Sequence, residues 1–176
     1  MRIKELVPLF TAEQIDRRVR ELAGQINELY AGRELALVCV LKGAFMFFSD
    51  LLKHVTVAPE IDFVRLASYG RSAASSGAVS FSKDLELSLM GKDVVLVEDI
   101  IDSGRTMDFL LRQMQARGAN SLRVAALVDK AERREVDVRV DFVGFPLSSG
   151  FVVGYGLDYA ERCRELPALY TAIMEG

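Results

Sequence analysis

Three stretches of this chain, Leu35–Leu41, 94–97 and 122–128, are apolar almost without interruption, and this constrains the fold more than any other feature. A strand with one wet face alternates apolar and polar residues, whereas one that is apolar throughout must be covered on both faces. Such strands belong to a parallel sheet between layers of helix. The intervening segments agree with this. Residues 11–14 (TAEQ) have the form of a capping box, and Ile15, Val19, Leu22, Ala23, Ile26, Leu29 and Tyr30 then recur at helical spacing. Residues 44–52 read as a second helix after Lys42 and Gly43. Met107, Leu110, Leu111 and Met114 line one face of a third, with Gly118 as its stop. Residues 61–67 alternate as a further strand does, and 70–77 are small, polar and aperiodic, which reads as a mobile loop. Strand and helix in repeated order predict an α/β fold with a mostly parallel twisted sheet flanked by helices.

No Pro/Gly/Ser-rich linker or block of like charge divides the 176 residues, and 51% of them are hydrophobic, so a single domain spanning 1–176 is expected. A net charge of −3 gives no general attraction for polyanions, which argues against nucleic acid or an anionic membrane as partner. No apolar run reaches the roughly 20 residues a membrane helix needs, and the first residues lack a signal-like apolar stretch, so the cytoplasm is the expected location. Two cysteines, Cys39 and Cys163, suggest neither a disulfide framework nor a thiolate metal site. The single histidine, His54, has no Ser, Cys or carboxylate pattern beside it and reads as structural.

In sheets of this kind ligands bind beyond the carboxyl ends of the strands. That rule directs attention to Lys42 and Gly43, to 98–106, and to Asp129 and Lys130, each placed after a predicted strand. The segment 94–106, VVLVEDIIDSGRT, carries the most chemistry. Backbone N–H groups at a helix start, with the hydroxyls of Ser103 and Thr106, make a cradle for phosphate, and Gly104 permits close approach. Glu98 and Asp99 suit sugar hydroxyls or Mg²⁺. The plainer reading is a buried strand with an acidic tip and Asp102 capping a helix. The turn is neither a Walker loop nor the three-glycine dinucleotide fingerprint.

Taken whole, the segment closely resembles the phosphoribosyl-diphosphate motif of type I phosphoribosyltransferases, and its VEDIIDSG form resembles the hypoxanthine-guanine branch. The resemblance extends from LKG at 41–43 through Ser68 and Tyr69 and Asp129 and Lys130 to FVVGYGLDY at 151–159. It implies that fold, with a small hood lobe from the chain ends. It implies transfer of 5-phosphoribose from 5-phosphoribosyl diphosphate to hypoxanthine or guanine, with Mg²⁺ as cofactor and a homodimer or homotetramer as assembly. Glu98 and Asp99 would address the ribose diol directly or through the metal. Asp102, Ser103, Gly104, Arg105 and Thr106 would bind the 5-phosphate, and Asp102 would also accept a proton from a purine ring nitrogen. Lys42 and Gly43 correspond to the pyrophosphate loop, which often contains a cis peptide before the lysine. Arg164 matches a second pyrophosphate contact, although in ERCRE at 161–165 it also reads as a solvated charge. Lys130 would donate to the exocyclic oxygen of a 6-oxopurine, although 130–135 alone reads as a solvated charge run. Phe151 would stack on the base or belong to the core, the Val152 backbone would meet the base edge, and Asp158 would lie near the metal or the base. Ser68, Tyr69 and the loop after them would form a lid. Ala44 stands where some relatives have a second glycine, which leaves the preference among hypoxanthine, guanine and xanthine open. The competing readings are a xanthine-preferring enzyme of the family, a pyrimidine enzyme of the same fold, and a nucleotide-sensing regulator that keeps the fold without relying on catalysis.

Overall fold

A computed structural model describes residues 2–68 and 79–175. The elements run β1 (Ile3–Phe10), α1 (Ala12–Leu29), β2 (Leu35–Leu41), α2 (Phe45–Leu52), β3 (Glu60–Ser68), β4 (Val79–Lys83), β5 (Asp93–Ile101), α3 (Arg105–Ala116), β6 (Ser121–Lys130), β7 (Phe142–Leu147), β8 (Val152–Val153) and β9 (Leu169–Met174). The predicted capping box forms. Thr11 Oγ1 accepts from Gln14 N at 3.3 Å and Gln14 Oε1 accepts from Thr11 N at 2.8 Å, so α1 begins where two orphan N–H donors are satisfied.

The main sheet has the order β4-β3-β2-β5-β6-β7. All its pairings are parallel except β3 with β4. Side chains alternate along each strand, so one apolar run supplies two cores. Leu35, Leu37, Cys39, Val95 and Val97 face α1 and α2, while Ala36, Val38, Val40, Val94 and Leu96 face Met107, Leu110 and Met114 of α3. That double covering is why these strands contain almost no polar residues.

Two expectations about strand ends need correction. The acidic pair Glu98 and Asp99 was expected beyond its strand, but β5 runs on to Ile101, paired in register with β6 as far as Asp129. Asp129 and Lys130 likewise lie inside β6, not after it. Backbone pairing carries these strands past the point where the side chains turn polar: β6 continues beside β5 after the β2 ladder has ended at Val97, and β7 continues beside β6 as far as Lys130.

β1, β9 and β8 form a separate three-stranded sheet built from the two ends of the chain, antiparallel at both pairings. Val152, Tyr155, Leu157 and Leu169 from this lobe join the α1/α2 core. Tyr155 also donates to Asp50 Oδ2 of α2 at 2.6 Å, which fixes the lobe beside the carboxyl edge of the main sheet. No helix among the described residues is long and apolar enough to cross a membrane.

Candidate functional site

β2 and β5 are neighbours, yet the chain leaves them in opposite directions: β2 passes through α2 to β3 on one side, and β5 through α3 to β6 on the other. Their carboxyl ends therefore flank the crevice where ligands bind in such sheets. Two adjoining cavities open there. The smaller, about 110 Å³, is lined by Glu98, Asp102, Ser103, Gly104 and Thr106 together with Ile100, Ile101 and Met107. The larger, about 370 Å³, is lined by Lys42, Gly43, Asp99, Asp158 and Arg164 together with Val40, Leu41 and Leu66, and shares Glu98, Ile100 and Thr106 with the first. Residues far apart in the chain are thus brought to one compound site.

The turn into α3 is built around a glycine. Gly104, at φ +84°, is the N-cap of α3, and no side chain caps the helix there. Asp102 is therefore not the cap that the plainer reading assigned it. The uncapped N–H groups and the helix dipole face the small cavity, with Ser103 and Thr106 on its wall. A Cβ at position 104 would lie 2.4 Å from Val136 O, so only glycine fits this turn. Arg105 lines neither cavity. Its side chain turns away to pair with Glu135, and its backbone N–H donates to Ser103 Oγ at 3.4 Å.

Glu98 and Asp99 are held by their own strand. Glu98 Oε1 accepts from Asp99 N at 3.1 Å, and Asp99 Oδ1 accepts from Ile100 N at 2.8 Å. Burial, and then the neighbouring Asp99 carboxylate, pushes Glu98 well above the usual carboxylate range. Burial raises Asp99 too, only partly offset by its hydrogen bonds with the Glu98 carboxyl and the Ile100 N–H and then by the Arg164 charge. Two adjacent, mutually repelling carboxylates, Glu98 buried and Asp99 half-buried, are poorly placed without a cation and well suited to one. Among the described residues no three His, Cys, Asp or Glu side chains form a ready-made metal cage. Mg²⁺ is ordinarily held by one or two carboxylates plus substrate oxygens, which this pair can provide.

On the opposite wall the peptide between Leu41 and Lys42 is cis. Gly43 packs against the Asp99 carboxylate so closely that a Cβ would fall 1.5 Å from Oδ2, and a Cβ on Gly156, at φ +100°, would lie 2.1 Å from Gly43 O. Arg164 donates to Gly156 O at 2.8 Å and pairs with Asp158 Oδ1 at 2.7 Å, while its Nε is buried without a partner. Asp158 Oδ2 accepts from Glu161 N. Glu161 itself was read only as part of a charge run. Its carboxylate lies 2.9 Å from Lys42 Nζ and 3.5 Å from Arg164 Nη2, bridging the two cations of the larger cavity.

Lys130 is buried, against the plainer reading of 130–135 as a solvated run; its Nζ lies 3.8 Å from Asp102 Oδ2 and 3.5 Å from Glu132 Oε2. Asp102 Oδ1 is buried and lacks a hydrogen-bond partner. A buried acceptor without a donor is costly unless a ligand supplies one. Phe151 is 46% exposed and meets Tyr159 edge-on, so it is not a core residue, and Val152 is buried in β8. Neither lines the two cavities. Ser68 ends β3, paired with Val79, whereas Tyr69 and the loop expected to be mobile lie outside the described residues.

Residues 9–160 match a family model described as a phosphoribosyl transferase domain. The chain is 45% identical over 159 residues to the hypoxanthine-guanine phosphoribosyltransferase of Bacillus subtilis (strain 168), across 90% of this chain and 88% of that protein. It is 47% identical over 156 residues to a hypoxanthine phosphoribosyltransferase of Salmonella typhimurium, across 88% of each. A solved structure of a hypoxanthine phosphoribosyltransferase from Staphylococcus aureus is similar with a TM-score of 0.90 at 40% identity, over 97% of this chain and 92% of that one.

Proposed function

The chain belongs to the phosphoribosyl transferase family, and from that premise we propose that it is a purine-salvage enzyme, converting hypoxanthine or guanine and 5-phosphoribosyl diphosphate to IMP or GMP and pyrophosphate. The observation that carries this reading is the compound site: an uncapped helix start, a buried acid pair and two cations meet around cavities that share a wall.

Each residue has a task in that reaction. The α3 N-terminus with Ser103 and Thr106 takes the 5-phosphate, and Glu98 and Asp99, on the walls of the same adjoining cavities, take the ribose diol. Lys42 and Arg164 stabilise charge on the departing pyrophosphate, displacing Glu161 as they do so. The purine nitrogen attacks the anomeric carbon as the bond to pyrophosphate breaks, and Asp102 receives the ring proton at its unpartnered Oδ1. Glu98 and Asp99, with Asp158 nearby, would hold Mg²⁺ together with substrate oxygens, and the ion would supply positive charge to the diphosphate. Lys130 donates to the exocyclic oxygen of a 6-oxopurine. Adenine, with an amino donor at that position, would face the ammonium unfavourably. Phe151 stacks on the base and the Val152 backbone meets its edge. Ser68, Tyr69 and the loop after them serve as the lid that keeps water from the activated sugar. A single domain spanning 1–176, a homodimer or homotetramer, and a cytoplasmic location belong to the same reading.

The test is nucleotide formation from hypoxanthine, guanine, xanthine, adenine and uracil with 5-phosphoribosyl diphosphate and Mg²⁺. Hypoxanthine and guanine should react and adenine and uracil should not. Turnover of xanthine alone would make this a xanthine enzyme, and ligand binding without turnover would make it a sensor.

A further inference from the structure

Arg134 belongs to a charge run that looks solvated in sequence, yet its side chain is only 19% exposed and it lines neither cavity. Instead it stands behind the site. Nε donates to Asp102 O at 3.1 Å and Nη1 to Val138 O at 3.2 Å. Nη2 faces Ile101 O at 3.4 Å, Lys130 O at 3.5 Å and the Asp129 carboxylate. The backbone continues the clamp, since the N–H groups of Glu135 and Val136 both donate to Ser103 O, at 2.9 and 3.0 Å.

We propose that Arg134 is a positioning residue that sets the spacing between Asp102 and Lys130, so that one purine can meet the proton acceptor and the ammonium together. This rests on the reading of Asp102 and Lys130 as base-facing groups. The two residues sit at the ends of adjacent strands, β5 and β6, just where the ladder between those strands stops at Ile101 and Asp129. Beyond that point no strand pairing fixes their separation, and the Arg134 fork takes over. Its planar donors reach acceptors on both strand ends and on the 134–138 segment at once. A lysine there keeps the charge, but its compact ammonium cannot span the same set of acceptors.

A clamp of this kind acts on geometry, which sets it apart from a residue that merely supports the fold. Loss of folded protein lowers apparent kcat in proportion and leaves each KM unchanged. Misplacement of Lys130 and Asp102 raises the purine KM and lowers kcat per folded molecule, and displacements of this order cost roughly 100-fold in kcat/KM. The experiment is steady-state kinetics of Arg134→Lys and Arg134→Gln, per folded molecule, with Lys130→Ala and the Arg134→Lys/Lys130→Ala double variant alongside. Arg134→Lys, which keeps the charge in place, carries the test if the glutamine variant fails to fold. The expected result is a raised purine KM and lowered kcat in Arg134→Lys, with the KM effect vanishing in the Lys130→Ala background because both changes disrupt one interaction. If Lys130→Ala shifts the purine KM and Arg134→Lys does not, or if the two effects simply add, the positioning role is wrong and the base site stands. If Lys130→Ala itself leaves purine KM and base choice unchanged, the reading of the base site falls and this proposal with it.

Discussion

Asp93 and the Glu98/Asp99 pair lie at opposite ends of the same strand, Asp93 and Glu98 buried and Asp99 half-buried, yet their surroundings differ in kind. At the amino end, Asp93 accepts from Asn120 Nδ2 and Ser121 Oγ and pairs with Arg33 Nε at 2.7 Å. Asp62, on β3, is treated the same way, accepting from the N–H groups of Phe63, Glu86 and Leu87 and facing Lys83. At the carboxyl end, Glu98 and Asp99 have their own backbone and each other. Buried charge that is fully partnered holds the fold together. Buried charge left half-partnered at a crevice costs stability and is retained for a ligand.

The comparison breaks most sharply at Asp102. Asp102→Asn should keep binding of 5-phosphoribosyl diphosphate, measured by calorimetry, and lose roughly 1000-fold in turnover, in keeping with removal of a proton acceptor. Full activity in that variant would remove Asp102 from the role. Glu98→Gln combined with Asp99→Asn should lower turnover by roughly 100-fold or more while stabilising the ligand-free protein at neutral pH. The sign follows from their raised values: stability from a carboxyl raised on folding is present below its unfolded titration and lost as pH rises through the folded one. The melting-temperature advantage of the double variant should therefore grow from acid to neutral pH.

At the partnered sites the order reverses. Asp93→Ala should cost about 3 kcal/mol, or about 10 °C in melting temperature, with turnover per folded molecule unchanged. Asp62→Asn should cost about 2 kcal/mol at neutral pH in urea unfolding. Burial works against the charged form of Asp62, but the N–H groups of Leu87, Phe63 and Glu86 together with Lys83 hold the carboxyl below the usual aspartate range. That stabilisation is complete above about pH 4, where an unfolded aspartate ionises, and is lost as pH falls through the folded value, so the gap between variant and wild type should close in acid. The smallest effect is expected at the exposed Glu161, where Glu161→Gln should tighten pyrophosphate binding only about two- to fivefold by freeing Lys42 and Arg164.

Much of this was legible in the chain because the signals were local. The apolar runs marked β2, β5 and β6, Thr11 and Gln14 marked the start of α1, and 98–106 carried its chemistry in consecutive residues. What was not legible depends on distant pairing. β1 contains Pro8, has irregular register and closes against β9 at the far end of the chain, so its strand character has no clean alternation to betray it. β5 extends through two acids because β6 pairs alongside them. Arg134 and Glu161 sit in charge runs that resemble solvated surface, and only the fold shows that the partner of Glu161 lies 119 residues away and those of Arg134 at the end of a different strand. Side chains whose partners lie far along the chain are therefore harder to find than those carried in one local motif.

The central claim is that the helix start at 103–106 and the acid pair at 98–99 grip one sugar phosphate together. A crystal structure with IMP bound tests it directly. The 5-phosphate should lie against the N–H groups of the α3 start with Ser103 and Thr106, and the ribose diol within reach of Glu98 and Asp99. A nucleotide seated elsewhere, or one whose phosphate avoids that helix start, would contradict it.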